Sequence, residues 1–599
     1  MEKDLEQSTP SRLSHWQLIV DQARVTPDVL AHSYEGAGTN ESPYIVTWIP
    51  NDAGNPMGWT TPRKWALASV GAVSMLATAF SSSAYSAPIQ EVLKGFNIDT
   101  EVATLGVSLF VLGFAVGPLM WAPLSELYGR QLISLISFGA FTVFNAGAAG
   151  AQNIQTLLVL RFLAGSFGSS PFTNAGGQVA DIFTASERGL AMGFFALAPF
   201  LGPCLGPIAG GFLGESEGWR WVVGLMAIFS GVMWIINLAC VPETYAPVLL
   251  RKRAQKLSKV TGKVYRTKAD LGAKVHPLTT FKIALMRPWI LLFKEPIVLL
   301  LSIYMAIIYG TLYMLFAAFP IVFQEYRGWS EGIGGLAFLG VLVGMVISTM
   351  TTPIANARYN RVAAAHNGFA PPETRLVTAM IGAVAIPIGL FWFAWTNSPS
   401  IHWISCIAAG APFGFGMVMV FLAITNYLID SYTIFAASAL AANAVLRSLL
   451  GFAFPLFTTY MFENLGIHWA SSIPAFLSLA CVPFPFLFYK YGAAIRSKCV
   501  YAAQSEAVMR SMMNQHHAPA AEADHDDTMN HDSSDSVSTT DAGDLKLEKV
   551  KTAKSASGSA LTRALSIVEA ADYNESPYDI DQVNTLETPS GLATTKSRG

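Results

Sequence analysis

Pro199-Phe-Leu-Gly202-Pro203-Cys-Leu-Gly206-Pro207-Ile-Ala-Gly210-Gly211 lies inside an uncharged, mostly apolar run over residues 189–212. Gly202, Gly206 and Gly210 recur every fourth residue, and so do Pro199, Pro203 and Pro207. On a helix the first set leaves one face nearly free of side chains, and the second weakens the hydrogen-bond ladder along the adjoining stripe. Such a helix can approach another closely and bend. The run is also long enough to cross a bilayer, which takes about 20 apolar residues.

The same length criterion gives twelve spans along the chain, six within residues 65–241 and six within 297–490. The chain has 599 residues, of which 52% are hydrophobic and 13% charged, against about 25% charged in soluble domains. Half of the charged side chains fall in residues 1–64 and 491–599, leaving a middle that lipid tolerates, since lipid solvates no ion. The segment 1–64 reads as a cytoplasmic tail, 242–296 as a basic cytoplasmic loop dividing the spans six plus six, and 491–599 as a disordered cytoplasmic tail. The last is rich in Ser, Thr, Asp, Ala and His and has no apolar periodicity.

Orientation follows from the loops. One side receives Arg130, Arg188, Arg358, Arg361, Arg375 and the basic stretch from Arg251 to Lys294, and the other only Lys94, Arg220 and Arg327. This asymmetry is the positive-inside pattern, and an even number of spans then leaves both termini in the cytoplasm. A net charge of −2 and the lack of a basic stripe with interleaved aromatics exclude a nucleic-acid partner. The five cysteines have neither disulfide-frame nor zinc spacing, so no metal or cofactor is expected.

The segment Gly117-Pro-Leu-Met-Trp-Ala-Pro-Leu-Ser-Glu-Leu-Tyr-Gly-Arg-Gln131 ends span two and turns into span three. Gly129 supplies the tight turn, Glu126 a carboxylate at the membrane surface and Arg130 a fork of donors beside it. A weak echo, Pro353 to Arg361, follows span eight, as duplicated halves would produce. Span four opens with Leu160-Arg161-Phe-Leu-Ala-Gly165, placing a cation inside the membrane, where it needs a partner or a wet cavity. Tyr309, Tyr313 and Phe316 lie on span seven. The first two share a helical face able to hold flat or weakly cationic ligands.

These motifs resemble the major facilitator superfamily, and in detail its fungal twelve-span drug:proton antiporters. The span-five repeat is similar to that family's antiporter signature, and Gly117–Gln131 to its first-half cytoplasmic loop. The stretches Asn426–Tyr432, Ser438–Arg447 and Gly466–Ser472 resemble its spans ten to twelve. Ala122, Leu127 and Gln131 depart from the superfamily pattern and weaken the basic half of the loop motif.

The resemblance implies an all-α membrane protein with the major facilitator fold: twelve transmembrane helices in two six-helix halves, flanked by disordered cytoplasmic tails. It implies a multi-pass plasma-membrane exporter of varied small, mostly apolar molecules, working as a monomer by proton antiport and alternating access. Gating would fall to Glu126, Gly129, Arg130, Asp181, Gly202, Pro203, Gly206, Pro207 and Gly210, with Arg130 locking onto Asp181 at the end of span four. Arg161 is the proton-coupling candidate. Tyr309, Tyr313, Phe316 and Asn443 are the substrate-binding candidates, and Gly340 and Gly344 on span eight offer a counter-face to span five. A nutrient, organic-acid or polyamine transporter on the same fold, and a non-transporting sensor using its tails, are the competing readings. The interior of the spans holds almost no carboxylate, so proton coupling rests on the resemblance.

The loop charges make a testable statement about sidedness. A single cysteine replacing Lys94 should react with an impermeant maleimide from outside intact cells, and one replacing Arg358 only after permeabilisation. The reverse pattern overturns the topology.

Overall fold

The computed structural model describes residues 14–21, 23–271, 277–365 and 370–516. Ten helical stretches among them are long and apolar enough to cross a membrane. Two further spans emerge from the backbone. The stretch Thr433–Arg496 runs for 64 residues but turns at Gly466, where φ is 72° and ψ 165°, and so holds two spans. Ile154–Gly168 and Ser170–Ile182 are two helices meeting at Ser169, which together form one span interrupted near its middle.

The spans are therefore one Thr61–Ser83, two Thr100–Tyr128, three Arg130–Ala149, four as just given, five Ala185–Glu217 and six Trp219–Cys240. The second half comprises seven Pro296–Phe319, eight Phe338–Ala365, nine Leu376–Thr396, ten Gly410–Ser431, and eleven and twelve on either side of Gly466. Gly218, between spans five and six, has φ 87° and ψ 166°, nearly the backbone of Gly466 between eleven and twelve. The two halves thus make the same turn at equivalent places, in a conformation that L side chains rarely adopt.

Burial sorts the spans into layers. In span seven 78% of the apolar window is buried, against 33% in spans three and six. Leu132, Ile136, Val143, Ile228, Val232 and Ile235 point outward from those two, where lipid tails replace protein as the apolar surroundings. The midplane is closed by side chains of both halves. Tyr313 Oη lies 2.8 Å from Ser82 Oγ, the rings of Phe200 and Phe421 meet edge to face at 4.8 Å, and Cys204 Sγ contacts Met345 Sδ at 3.7 Å.

The membrane-external segments correct two expectations. The described residues among 14–64 are ordered, because they fold onto the linker between the halves. Strand β1 (Tyr44–Ile45) pairs in parallel with β2 (Tyr265–Arg266). Val29, Tyr34 and Val46 share a small core with Leu250, Ala254 and Leu257 of the linker helix Ala246–Thr261. Arg253 on that helix pairs with both carboxylate oxygens of Asp52 and caps the Trp48 ring at 4.8 Å.

At the other end the helix Val500–His516 extends order beyond residue 491. Its Tyr501 amide donates to Glu295 at 3.0 Å, and the other Glu295 oxygen accepts from Tyr432 Oη at 2.9 Å. Arg496 forks onto Glu373 at 3.0 and 3.2 Å. Composition missed both segments because each builds its core with partners far away in the chain. The rest of the C-terminal tail lies outside the described residues.

The Arg253–Asp52 side chains are 3% and 5% exposed, and removing one partner of a buried pair costs about 3–5 kcal/mol. Arg253→Ala should therefore release the N-terminal segment: limited proteolysis of the purified chain should cut ahead of Thr61 severalfold faster. Arg251→Ala, which breaks a pair with Asp270 that is 43% and 31% exposed, should leave the rate unchanged. Equal rates in both variants would show that the clamp contributes nothing.

Candidate functional site

Arg161 is wholly buried, and every part of its fork is used. Nε donates to Gly106 O at 3.0 Å and Nη1 to Ser81 O at 2.9 Å, while Nη2 reaches Ser82 O at 3.5 Å. Ser81 and Ser82 stand in the last turn of span one, which passes at Ser83 into a short 3₁₀ turn. Carbonyls in the last turn of a helix lack intrahelical partners and carry the negative end of its dipole. The local break in span one therefore supplies the oxygens that a buried guanidinium requires. The rings of Phe110 and Tyr85 cover the cation at 4.4 and 4.9 Å.

Across the seam, Tyr313, Tyr309 and Phe316 lie together as their spacing implied. Tyr309 Oη donates to Tyr313 Oη at 3.4 Å, and the Tyr313 and Phe316 rings meet at 5.1 Å. Asn443, one helical turn before Arg447 on span eleven, donates to Ser302 Oγ and Met305 Sδ, each at 3.2 Å. It thus packs against the lower part of span seven, while Arg447 stands over the Tyr309 ring at 5.0 Å and the Phe421 ring at 4.9 Å.

The span-five glycines face span one, not span eight. A Cβ on Gly202 would lie 2.6 Å from Phe80 N, one on Gly206 2.8 Å from Ala84 N, and one on Gly210 would press into Ala84 O. The expected counter-face is a correction: Gly340 and Gly344 pack on the backbone at Ile407 and Ala411, at the start of span ten. The proline stripe meets the other half instead, since a Cβ on Gly335 would press on Pro207 O and lie 3.1 Å from its carbonyl carbon. Pro203 lies buried between the two contacts. Span five thus has Gly202, Gly206 and Gly210 against its own half, and Pro207 and Gly211 at the seam.

At the tail-bearing end, Arg130 Nε lies 3.4 Å from Asp181 Oδ2, and Nη1 donates to Ser125 Oγ at 2.9 Å. Glu126 has Arg130 and Arg287, the latter on the linker, as its charged neighbours. The organising residue here is Glu243, which sequence reasoning missed. Its carboxylate, 1% exposed, accepts the amides of Arg130 at 2.8 Å and Gln131 at 3.2 Å, and those of Thr244 and Tyr245 at 3.1 and 3.0 Å. It therefore caps the amino end of span three, where a negative charge is favoured. Gly129, at φ 101°, makes room for it: a Cβ there would lie 2.8 Å from Glu243 Cδ. A lone acid just after span six was the only available signal.

The second half repeats the device with other residues. Arg375 Nε reaches Asp430 Oδ2 at 2.9 Å, at the end of span ten and the start of span nine. The structural counterpart of Arg130 is Arg375, then, rather than the Arg361 of the sequence echo.

The family profile described as Major Facilitator Superfamily matches residues 69–455. The chain belongs to this superfamily. It is 59% identical over 591 residues to the Aspergillus fumigatus protein named major facilitator superfamily multidrug transporter mdrA, covering 98% of this chain and 97% of that one. It is 58% identical, covering 97% and 96%, to the Trichophyton rubrum protein named MFS-type efflux pump MFS2. Among solved structures, the proton:xylose symporter XylE bound to 6-bromo-6-deoxy-D-glucose superposes with a TM-score of 0.53 at 15% identity, over 72% of this chain and 96% of that one. That likeness establishes the fold. Membership of the superfamily implies a membrane-embedded transporter with small-molecule cargo.

Backbone contact at Gly206 leaves no place for a side chain, whereas a Cβ on Gly224 would meet nothing within 4 Å. Gly206→Val should slow transport at least tenfold per molecule at the membrane and lower the melting temperature of the purified protein. Gly224→Val should change neither. Normal transport by Gly206→Val would show that spans one and five need not touch.

Proposed function

We propose that this chain exports varied small, mostly apolar molecules from the cytoplasm by proton antiport and alternating access. It would act as a monomer in the plasma membrane with both termini cytoplasmic. The observation that carries the reading is identity of 58–59% over nearly the whole chain to proteins named multidrug transporter and efflux pump. A partial match would leave the cargo-handling half open, but this one runs through both halves and the external segments.

The geometry supports alternating access. On the side away from the tails the halves touch, with the Glu215 carboxylate accepting the Gly332 amide at 3.1 Å. On the tail-bearing side the ion pairs Arg130–Asp181 and Arg375–Asp430 each stay within one half. In this reading those pairs, with Glu126 and Glu243, set the energy of the inward-closed state, and Gly202, Gly206 and Gly210 let span five move on span one. Exchange of access states requires differences of only a few kcal/mol. Proton movement would use the hydroxyls of Ser82, Tyr313 and Tyr309 beside Arg161, because a guanidinium does not itself release a proton.

Inside-out vesicles carrying the chain and given an acidic lumen should accumulate a fluorescent apolar dye, and dye addition should raise lumenal pH. Collapse of the gradient should stop accumulation. Accumulation unaffected by the collapse would remove proton coupling, and uptake driven only by the opposite gradient would make the chain an importer.

A further inference from the structure

Two cations stand at the centre of the bundle, and they are not equivalent. Arg161 spends its donors on backbone carbonyls. Arg447 makes no hydrogen bond and no ion pair among the described residues, and its Nε–H is buried without an acceptor. The ionisable groups acting on it are Tyr309 and Tyr313, with no carboxylate. Those acting on Arg161 are Tyr85 and Tyr313. Among the described residues, the groups acting on these two positive charges are tyrosines.

The surroundings of Arg447 leave its donors for a ligand. Tyr309 lies under the guanidinium at 5.0 Å and Phe421 at 4.9 Å. A guanidinium set among rings and given no acceptor of its own keeps N–H groups for an acceptor from outside, and a carboxylate suits it because two parallel bonds can grip it. Phe421 also touches Phe200 of the first half at 4.8 Å, and Tyr313 touches Ser82 at 2.8 Å. The site is thus one side chain from the seam and is uncovered when the halves part.

We infer that Arg447 receives the anionic end of the cargo, and that the preferred substrates are amphipathic organic monoanions: an apolar or aromatic body ending in a carboxylate. Tyr309, Phe421 and Phe200 hold the body, and the guanidinium edge holds the charge. Arg161, held by the Gly106, Ser81 and Ser82 carbonyls, stays out of cargo contact. This inference rests on the export reading and narrows its substrate class.

The test uses the purified full chain and two probes of one shape, 4-phenylbutyrate and its carboxamide. Dissociation constants come from thermal-shift titration, which needs no transport, and rates from proteoliposomes. Wild type should bind the carboxylate at least tenfold more tightly than the amide, about 1.4 kcal/mol at 25 °C. Arg447→Gln should weaken carboxylate binding to the level of the amide and leave amide binding unchanged, whereas Arg447→Lys should keep part of the preference. Equal binding of both probes by wild type, binding of neither, or a preference that survives Arg447→Gln overturns the assignment. Should Arg447→Gln fail to fold, the wild-type contrast together with Arg447→Lys still decides. Carboxylate preference in binding without gradient-driven flux would sink the export reading alone. Flux of the amide with no carboxylate preference would sink only the inference.

Discussion

A guanidinium inside a bilayer must be given oxygen atoms, and the architecture of the first half is organised around that requirement. An arginine at the centre of a membrane helix costs about 2.5–3.5 kcal/mol or more. No acid among the described residues answers Arg161. Carbonyls do, two from the end of span one and one from the wall of span two. This solution has structural consequences. Span one must loosen at Ser83 to free its last carbonyls, and span four must bring Arg161 up to it. Span five then closes over the loosened segment, with Gly206 against Ala84. The glycine repeat and the buried arginine, which look like separate motifs, meet on the same few residues of span one.

Charge that is excluded from the span interiors is concentrated at their tail-side ends, where it is consistently paired. Glu243 caps span three, Asp181 and Asp430 hold the arginines at the starts of spans three and nine, and Glu373 holds Arg496. Each carboxylate is mostly buried, so its worth depends on full satisfaction rather than on simple attraction. Glu243 satisfies four amides, which is why a single acid can fix both the loop after span two and the exit of span six. The docked N-terminal segment and the C-terminal helix extend the same logic outward. Asp52 and Glu295 tie these pieces to the linker and to span seven. The described residues of the linker thereby contact both the N-terminal segment and the C-terminal helix.

Much of this was legible in the residues because the bilayer imposes a length and a composition that can be counted. The spans, their division six plus six and the company kept by Tyr309 with Tyr313 follow from apolar length and helical spacing, and the company kept by Arg130 with Asp181 from shared depth together with the family resemblance. What was not legible has a common cause: it depends on which surfaces meet. The span-five glycines announce a close contact but do not name span one as the partner. Gly340 and Gly344 are equally small, and they serve span ten. Tyr44 and Tyr265 pair as strands across more than two hundred residues, and no local pattern in a polar tail signals that. Arg361 matches Arg130 in a degenerate motif, yet Arg375 takes the position, because ion-pair geometry depends on where a helix begins and not on the spacing of letters.

The halves are related in backbone, as Gly218 and Gly466 show, but they have diverged in how each treats its central arginine. One is held by three carbonyls of its own half. The other keeps a buried donor idle between two rings. An idle donor at this depth is a standing cost, since desolvation has been incurred with no bond in return. Packing alone would favour an apolar residue in its place, just as buried ion pairs are often matched or bettered by hydrophobic replacements. A group retained against that pressure is explained if its bond is made in a state other than this one. The first half then acts as a finished frame, and the second half as the side whose chemistry is completed by what it carries.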